Sequence, residues 1–164
     1  MISIITDEAR GWAEREYPPF RFLVTAADIA KFAYATDETN PIHHDREAAR
    51  AEGHDDVVAP SLFHYVIRMH ASTLVGPDRL EPDGSPADDV PPLPTRRAMA
   101  GETVVELGTS PIVAGDTITV EKRLTDLYEK EGKSGHLVFV EMEYTFVNQR
   151  GEQVARDVFT RIYR

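Results

Sequence analysis

Leu137-Val138-Phe139-Val140-Glu141-Met142-Glu143-Tyr144-Thr145-Phe146 decides the fold class. The run is rich in β-branched and aromatic residues and free of glycine and proline, which is the composition of a strand. On its C-terminal side Asn148-Gln149-Arg150-Gly151 supplies turn chemistry, and Val158-Phe159-Thr160-Arg161-Ile162-Tyr163 is a further strand. On its N-terminal side Glu131-Gly132-Lys133-Ser134-Gly135 is a turn. Before that comes a strand that opens at Thr117-Ile118-Thr119-Val120-Glu121 and runs on to Lys130, itself preceded by the turn Ala114-Gly115-Asp116. Thr103-Val104-Val105-Glu106-Leu107 completes a set of four strands joined by these tight turns, hence an antiparallel sheet.

The first half of the chain is helical. Phe20 to Val24 alternates large apolar residues as a strand does, and Thr25 with Asp28 reads as a capping box for a short helix ending near Ala35. Thr6 to Tyr17 has helical character, with Trp12 as its anchor and Pro18-Pro19 as its stop. Asp45 to Ala51 is a second short helix, stopped by Gly53. Asp56-Val57-Val58-Ala59-Pro60 leads into a longer helix starting at Pro60 or Ser61. There Leu62, Phe63, Val66, Ile67, Met69 and Leu74 are apolar on nearly all sides, which predicts burial, and Gly76-Pro77 ends it. Asp78 to Pro94, dense in Pro, Asp and Gly without periodicity, reads as a mobile loop or lid. The whole, residues 1–164, is expected to form one α+β domain.

Composition narrows the function. With 164 residues there is room for one core. A net charge of −10 disfavours a phosphate backbone as partner, so nucleic acid is not expected. The absence of cysteine removes disulfides, thiolate metal sites and cysteine nucleophiles. Met1 to Ala9 carries Asp7 and Glu8 and does not read as a signal peptide, and no apolar run reaches the length of a membrane span. A cytoplasmic setting without membrane contact is the expectation. The strands from Thr117 to Lys130 and from His136 to Phe146 are long for so small a domain, which points to extension into a partner subunit.

One polar constellation stands out: Thr36-Asp37-Glu38-Thr39-Asn40-Pro41-Ile42-His43-His44-Asp45, between two short helices and ahead of the apolar one. Taken locally it reads better as caps and turns. A wider match favours a site. Glu38-Thr39-Asn40-Pro41-Ile42-His43, followed by Asp45 and Ala48-Ala49, resembles the MaoC-like hydratases and dehydratases, which carry a carboxylate, a spacer, Asn-Pro, an aliphatic residue and His. Phe20 to Val24, Asp28-Ile29, Asp56 to Pro60, Ala114-Gly115-Asp116-Thr117 and Phe139 to Gly151 are similar to the subgroup related to the dehydratase region of fatty acid synthase. The resemblance covers nearly the whole chain. It implies a hot-dog fold, an antiparallel sheet wrapped around one long buried helix.

The resemblance also implies a lyase activity: reversible hydration of 2-enoyl thioesters, or dehydration of 3-hydroxyacyl thioesters, on coenzyme A or acyl carrier protein. Neither a metal nor a redox cofactor is implied. His43 and the acid Glu38 or Asp37 would be catalytic. Asn40 would fix the loop or contact substrate, and the N–H groups of Ser61 or Leu62 would hold the thioester oxygen. Two departures stand beside it. The family places Asp five residues before the His, where this chain has Glu38. It also places a Gly at the helix start, where this chain has Ala59-Pro60-Ser61, and Pro60 has no N–H. A homodimer or higher homo-oligomer is implied, or a hetero-oligomer with a second MaoC-like chain. In that last case this chain would bind the acyl thioester without turning it over; thioesterase chemistry fits the motif less well.

Other polar groups have plainer readings. A zinc site from His43, His44, Asp45 and His54 is disfavoured because adjacent histidines on an extended loop point apart. His64 and His70 are expected to be packed or hydrogen-bonded on the buried helix. A Ser61–His64 nucleophile pair lacks the glycines of a nucleophile elbow. Arg96-Arg97, Lys122-Arg123 and Lys130-Lys133 read as solvated faces, one of which would grip the phosphates of coenzyme A.

Overall fold

The computed structural model describes residues 3–82, 84–95, 97–132 and 135–164. Five antiparallel strands form one sheet in the order β1-β3-β4-β5-β2. They are β1 (Phe20–Leu23), β2 (Ala98–Leu107), β3 (Thr117–Gly132), β4 (Gly135–Val147) and β5 (Gln153–Tyr163). The α+β layout expected from the sequence is therefore present. β3, β4 and β5 follow one another as hairpins, whereas β2 pairs with β5 at one edge and β1 with β3 at the other. β2 and β5 each begin earlier than their apolar cores suggested. Ladder bonds extend through polar residues such as Arg156 and Asp157, and a bulge lies between Ala100 and Thr103. Of the β3–β4 turn, Lys133 and Ser134 lie outside the described residues, as do Arg96, Met1 and Ile2.

Local chemistry explains the helices. Thr25 and Asp28 form both bonds of the capping box at the head of α2 (Ala26–Ala35). Thr6 caps α1 (Asp7–Gly11), which tightens into a 3₁₀ turn at Trp12–Glu14, so the helical stretch stops short of Tyr17. Asp45 caps α3 (Arg46–Ala51). α2 buries Ile29 and Ala33, and Phe32 meets Phe63 edge to face at 5.6 Å. The core joins these to Ile67 and to Ile118, Val120, Val138, Val140 and Phe146 on one face of the sheet.

The long buried helix is corrected. α4 spans only His64–His70 and continues as a 3₁₀ turn, Ala71–Leu74. His64 and Ile67 are buried, but Met69 is 61% and Leu74 53% exposed. The cause is upstream. Val57, Val58 and Ala59 are held extended against Ile112, Val113 and Ala114, with Ala59 N–H donating to Ile112 O at 2.8 Å and Ala114 N–H to Val57 O at 3.0 Å. Pro60–Phe63 then turns the chain before a helix can begin.

The described residues from Asp78 to Pro94, expected as a mobile loop or lid, are packed against the rest of the chain. Pro86, Pro91 and Leu93 are buried, and the ion pairs Arg79–Asp88, Arg15–Asp88 and Lys122–Asp89 tie these described residues down. Lys122 is correspondingly not on a solvated face. Among the described residues no helix is long and apolar enough to cross a membrane.

Candidate active site

His43 sits in a 3₁₀ turn, Pro41–His43, between α2 and α3. Asn40 caps that turn by accepting from the Ile42 N–H at 3.2 Å. Pro41 at its first position suits the fixed φ of proline. His43 is buried, and its Nδ1 lies 2.7 Å from Val58 O. A carbonyl only accepts, so Nδ1 carries a proton and Nε2 is the nitrogen left to exchange one. Val58 N–H in turn donates to Ile42 O, so the extended segment before Pro60 and the histidine turn brace each other.

A cavity of about 490 Å³ opens in front of His43. Glu38, Ser61, Leu62, His64 and the close of β2 at Leu107 are among its walls. Of the two candidate acids, only Glu38 lines it. Asp37 occupies the left-handed position (φ 56°) just after α2. There Glu38 N–H donates to Ala33 O and Asp37 N–H to Tyr34 O, the pair of bonds of a Schellman ending, where glycine is the usual residue. His44 locks the result in place, its Nε2 lying 2.7 Å from Glu38 O.

Asn40 does not line the cavity; its work is to hold the turn that carries His43. Ser61 and Leu62 do line it, but not as a helix N-terminus, because α4 starts at His64. They are the central residues of a turn closed by Phe63 N–H to Pro60 O at 3.2 Å, with Leu62 at φ 70°. That is the type II arrangement, which favours glycine at the second central position. Neither the Ser61 nor the Leu62 N–H donates to another described backbone group. Gly108, on the far wall, is needed for closeness: a Cβ there would lie 2.0 Å from Gln153 O.

His64, expected to be packed or hydrogen-bonded, and His54, weighed only as a zinc ligand, both line the cavity. His64 is 1% exposed, and its Nε2 lies 3.5 Å from Oδ2 of the fully buried Asp157. Arg68, one helical turn on, donates to both oxygens of Asp157 at 3.1 and 3.0 Å. The i, i+4 spacing of His64 and Arg68 was the available signal; nothing local marked Asp157 as their partner.

Burial, assisted by the Arg68 charge, lowers the His64 pKa from 6.5 to about 4. An unfolded chain takes up this proton near pH 6.5 and the folded one only near 4. The stabilisation from a neutral His64 is therefore complete above 6.5 and is lost as pH falls through that window. Wild-type melting temperature should fall steeply between pH 6.5 and 4, and less steeply in a His64→Gln variant. The total is on the order of 3 kcal/mol.

A MaoC-like hot-dog protein is what this sheet and this histidine turn define. The model of the FAS1-like dehydratase domain region matches residues 12–157, and the chain belongs to that family. A UPF0336 protein of Clavibacter michiganensis is 34% identical over 143 residues, covering 87% of this chain and 86% of that one. A probable enoyl-CoA hydratase alpha subunit of Thermomonospora curvata is 33% identical over 136 residues, 77% of this chain but 40% of that longer protein. Among solved structures, a MaoC-like dehydratase from Rhodospirillum rubrum superposes with a TM-score of 0.61 at 25% identity, over 91% of this chain and 92% of that one. The HadBC 3R-hydroxyacyl-ACP dehydratase complex of Mycobacterium tuberculosis gives 0.64 at 20% identity, over 90% and 92% respectively, and shares the fold.

Proposed function

We propose that the protein hydrates 2-enoyl thioesters, or in reverse dehydrates 3-hydroxyacyl thioesters, carried on coenzyme A or acyl carrier protein. The observation that carries this reading is His43, its Nδ1–H committed to Val58 O, on the wall of a cavity shared with Glu38. In the hydration direction Glu38 takes a proton from water as its oxygen bonds to Cβ. The electron pair of the double bond moves toward the thioester oxygen, which the N–H groups of Ser61 and Leu62 receive. His43 Nε2 takes that proton from Glu38 and delivers it to Cα as the electron pair returns from the thioester oxygen, leaving Glu38 ionised and Nε2 with its lone pair again. Neither metal nor redox cofactor enters this scheme, and a cytoplasmic setting suits it.

The purified protein, incubated with crotonyl-coenzyme A and longer 2-enoyl thioesters, should remove the absorbance of the conjugated thioester. Absence of that change across all chain lengths would refute independent activity.

The acids separate by substitution. Glu38→Gln should cost tenfold or more in rate, as loss of a general base does. Asp37→Gly should leave the rate unaltered and raise stability by about 0.5–1 kcal/mol, because glycine suits the left-handed position and the Asp37 carboxylate faces solvent. A rate loss in Asp37→Gly or Asp37→Asn, with Glu38→Gln active, would transfer the role to Asp37.

The second reading is a thioester-binding subunit that needs a catalytic partner chain. The turn at Pro60–Phe63 favours it, since Pro60 offers no N–H and Leu62 is held in a glycine-type conformation. The similarity to a named alpha subunit and to a two-chain dehydratase complex points the same way. A partner is also consistent with the exposed apolar residues Val104 and Leu107 on the edge strand β2. Under this reading activity appears only on mixing with the second chain.

A further inference from the structure

Resting on the proposed thioester chemistry, we infer that His64, oriented by Asp157 and Arg68, is a specificity residue that accepts a hydrogen bond from the 3-hydroxyl of a 3-hydroxyacyl thioester. The imidazole is buried in the cavity wall between Phe146 and Tyr65, with ring centroids 5.3 and 4.9 Å away. Its Nε2 is buried without a hydrogen-bond partner, 3.5 Å from the Asp157 carboxylate. A lone pair pointed at a carboxylate would be repelled, so Nε2 carries the proton and Nδ1 the lone pair. Burial holds the ring neutral, so this tautomer persists across the physiological range.

Asp157 is in turn fixed by two bonds from Arg68. The guanidinium of Arg68 is itself confined among aromatic rings, 4.4 Å from Tyr65 and 4.8 Å from Phe159. The carboxylate beside His64 Nε2 is thus held in place without a ligand. No described residue donates to its Nδ1. Nδ1 is not among the fully buried unpartnered atoms, so a ligand in the cavity that supplies a donor can reach it.

The chemistry of the substrate pair names the donor. The thioester carbonyl, the sulfur and the carbon–carbon double bond of an enoyl thioester provide no O–H or N–H beside the reacting carbons. The 3-hydroxyl of the hydrated form does. His64 therefore distinguishes the two sides of the reaction, binding the 3-hydroxyacyl form more tightly than a thioester lacking the hydroxyl.

The test is equilibrium binding, which needs no turnover. Butyryl-coenzyme A and each enantiomer of 3-hydroxybutyryl-coenzyme A are titrated calorimetrically into the wild-type protein, His64→Leu and His64→Gln. Wild type should prefer one hydroxylated enantiomer over the butyryl thioester by about five- to tenfold, the worth of one neutral hydrogen bond. His64→Leu should abolish the preference while keeping butyryl affinity, and His64→Gln, whose amide oxygen accepts, should retain part of it. On wild-type protein, independent of any variant's folding, the ¹⁵N resonance of His64 Nδ1 should move with the hydroxylated ligand and not with butyryl-coenzyme A. Equal affinity for the hydroxylated and butyryl thioesters, an unmoved Nδ1 resonance, or a preference surviving in a folded His64→Leu overturns the assignment of His64 alone. Failure of every thioester to bind overturns the thioester reading itself, and this inference with it.

Discussion

Replacing His43 with alanine is expected to lower hydration of crotonyl-coenzyme A by about 10²- to 10⁴-fold, the usual share of a positioned acid–base group. The size follows from where the ring is held. Its Nδ1–H is committed to Val58 O, so Nε2 is the ring nitrogen left for the cavity that His43 lines. The structural cost should be small by comparison. Truncation leaves Val58 O without its side-chain donor, worth roughly 1–2 kcal/mol. The Asn40 cap and the Val58 N–H to Ile42 O bond remain. Thermal unfolding and turnover measured on the same preparation separate the two effects. A His43→Ala protein that melts as wild type does and hydrates at the wild-type rate removes His43 from the mechanism.

Arg68→Ala should destabilise the fold by about 3–5 kcal/mol, well beyond the loss expected for His43→Ala. It removes both donors from Asp157, a carboxylate with no exposed surface. Burial already pushes the Asp157 pKa up, and only Arg68 opposes it. Without the guanidinium the carboxylate must either stay charged and unpaired or take a proton at a higher pH. Asp157→Asn in the Arg68→Ala background should recover part of the loss, since the neutral amide carries no uncompensated charge. Urea unfolding of the single and double variants measures this coupling. Additive losses would show that the two side chains do not stabilise one another.

The sheet and the loop carrying the candidate site were legible in the sequence for different reasons. Strands β3, β4 and β5 announce themselves through apolar runs bounded by Gly-Asp, Gly-Lys-Ser-Gly and Asn-Gln-Arg-Gly turns. The Thr25–Asp28 box likewise depends on residues three apart. Glu38, Asn40 and His43 were legible because they lie within one short loop. What escaped depends on contacts between distant segments. The start of α4 is set by Ile112 and Val113, far along the chain from Val57 and Ala59. Lys122 is withdrawn from solvent by Asp89, and His64 acquires its character from Asp157. Which of Asp37 and Glu38 lines the cavity turns on a backbone angle after α2, which residue type alone does not encode.

The strand order has a kinetic consequence. β2 is made before β3, β4 and β5, yet its only strand partner is β5, the last of them. A ribosome therefore releases β2 well before anything exists for it to pair with. Closure of such a distant contact is slow relative to the neighbouring hairpins. Because Leu107 and Ala155 both belong to the wall facing His43, the reaction cavity is completed only at that final step. In refolding, sheet formation should precede competence to bind thioester, and the lag between them is the lifetime of a half-built protein with a bare edge.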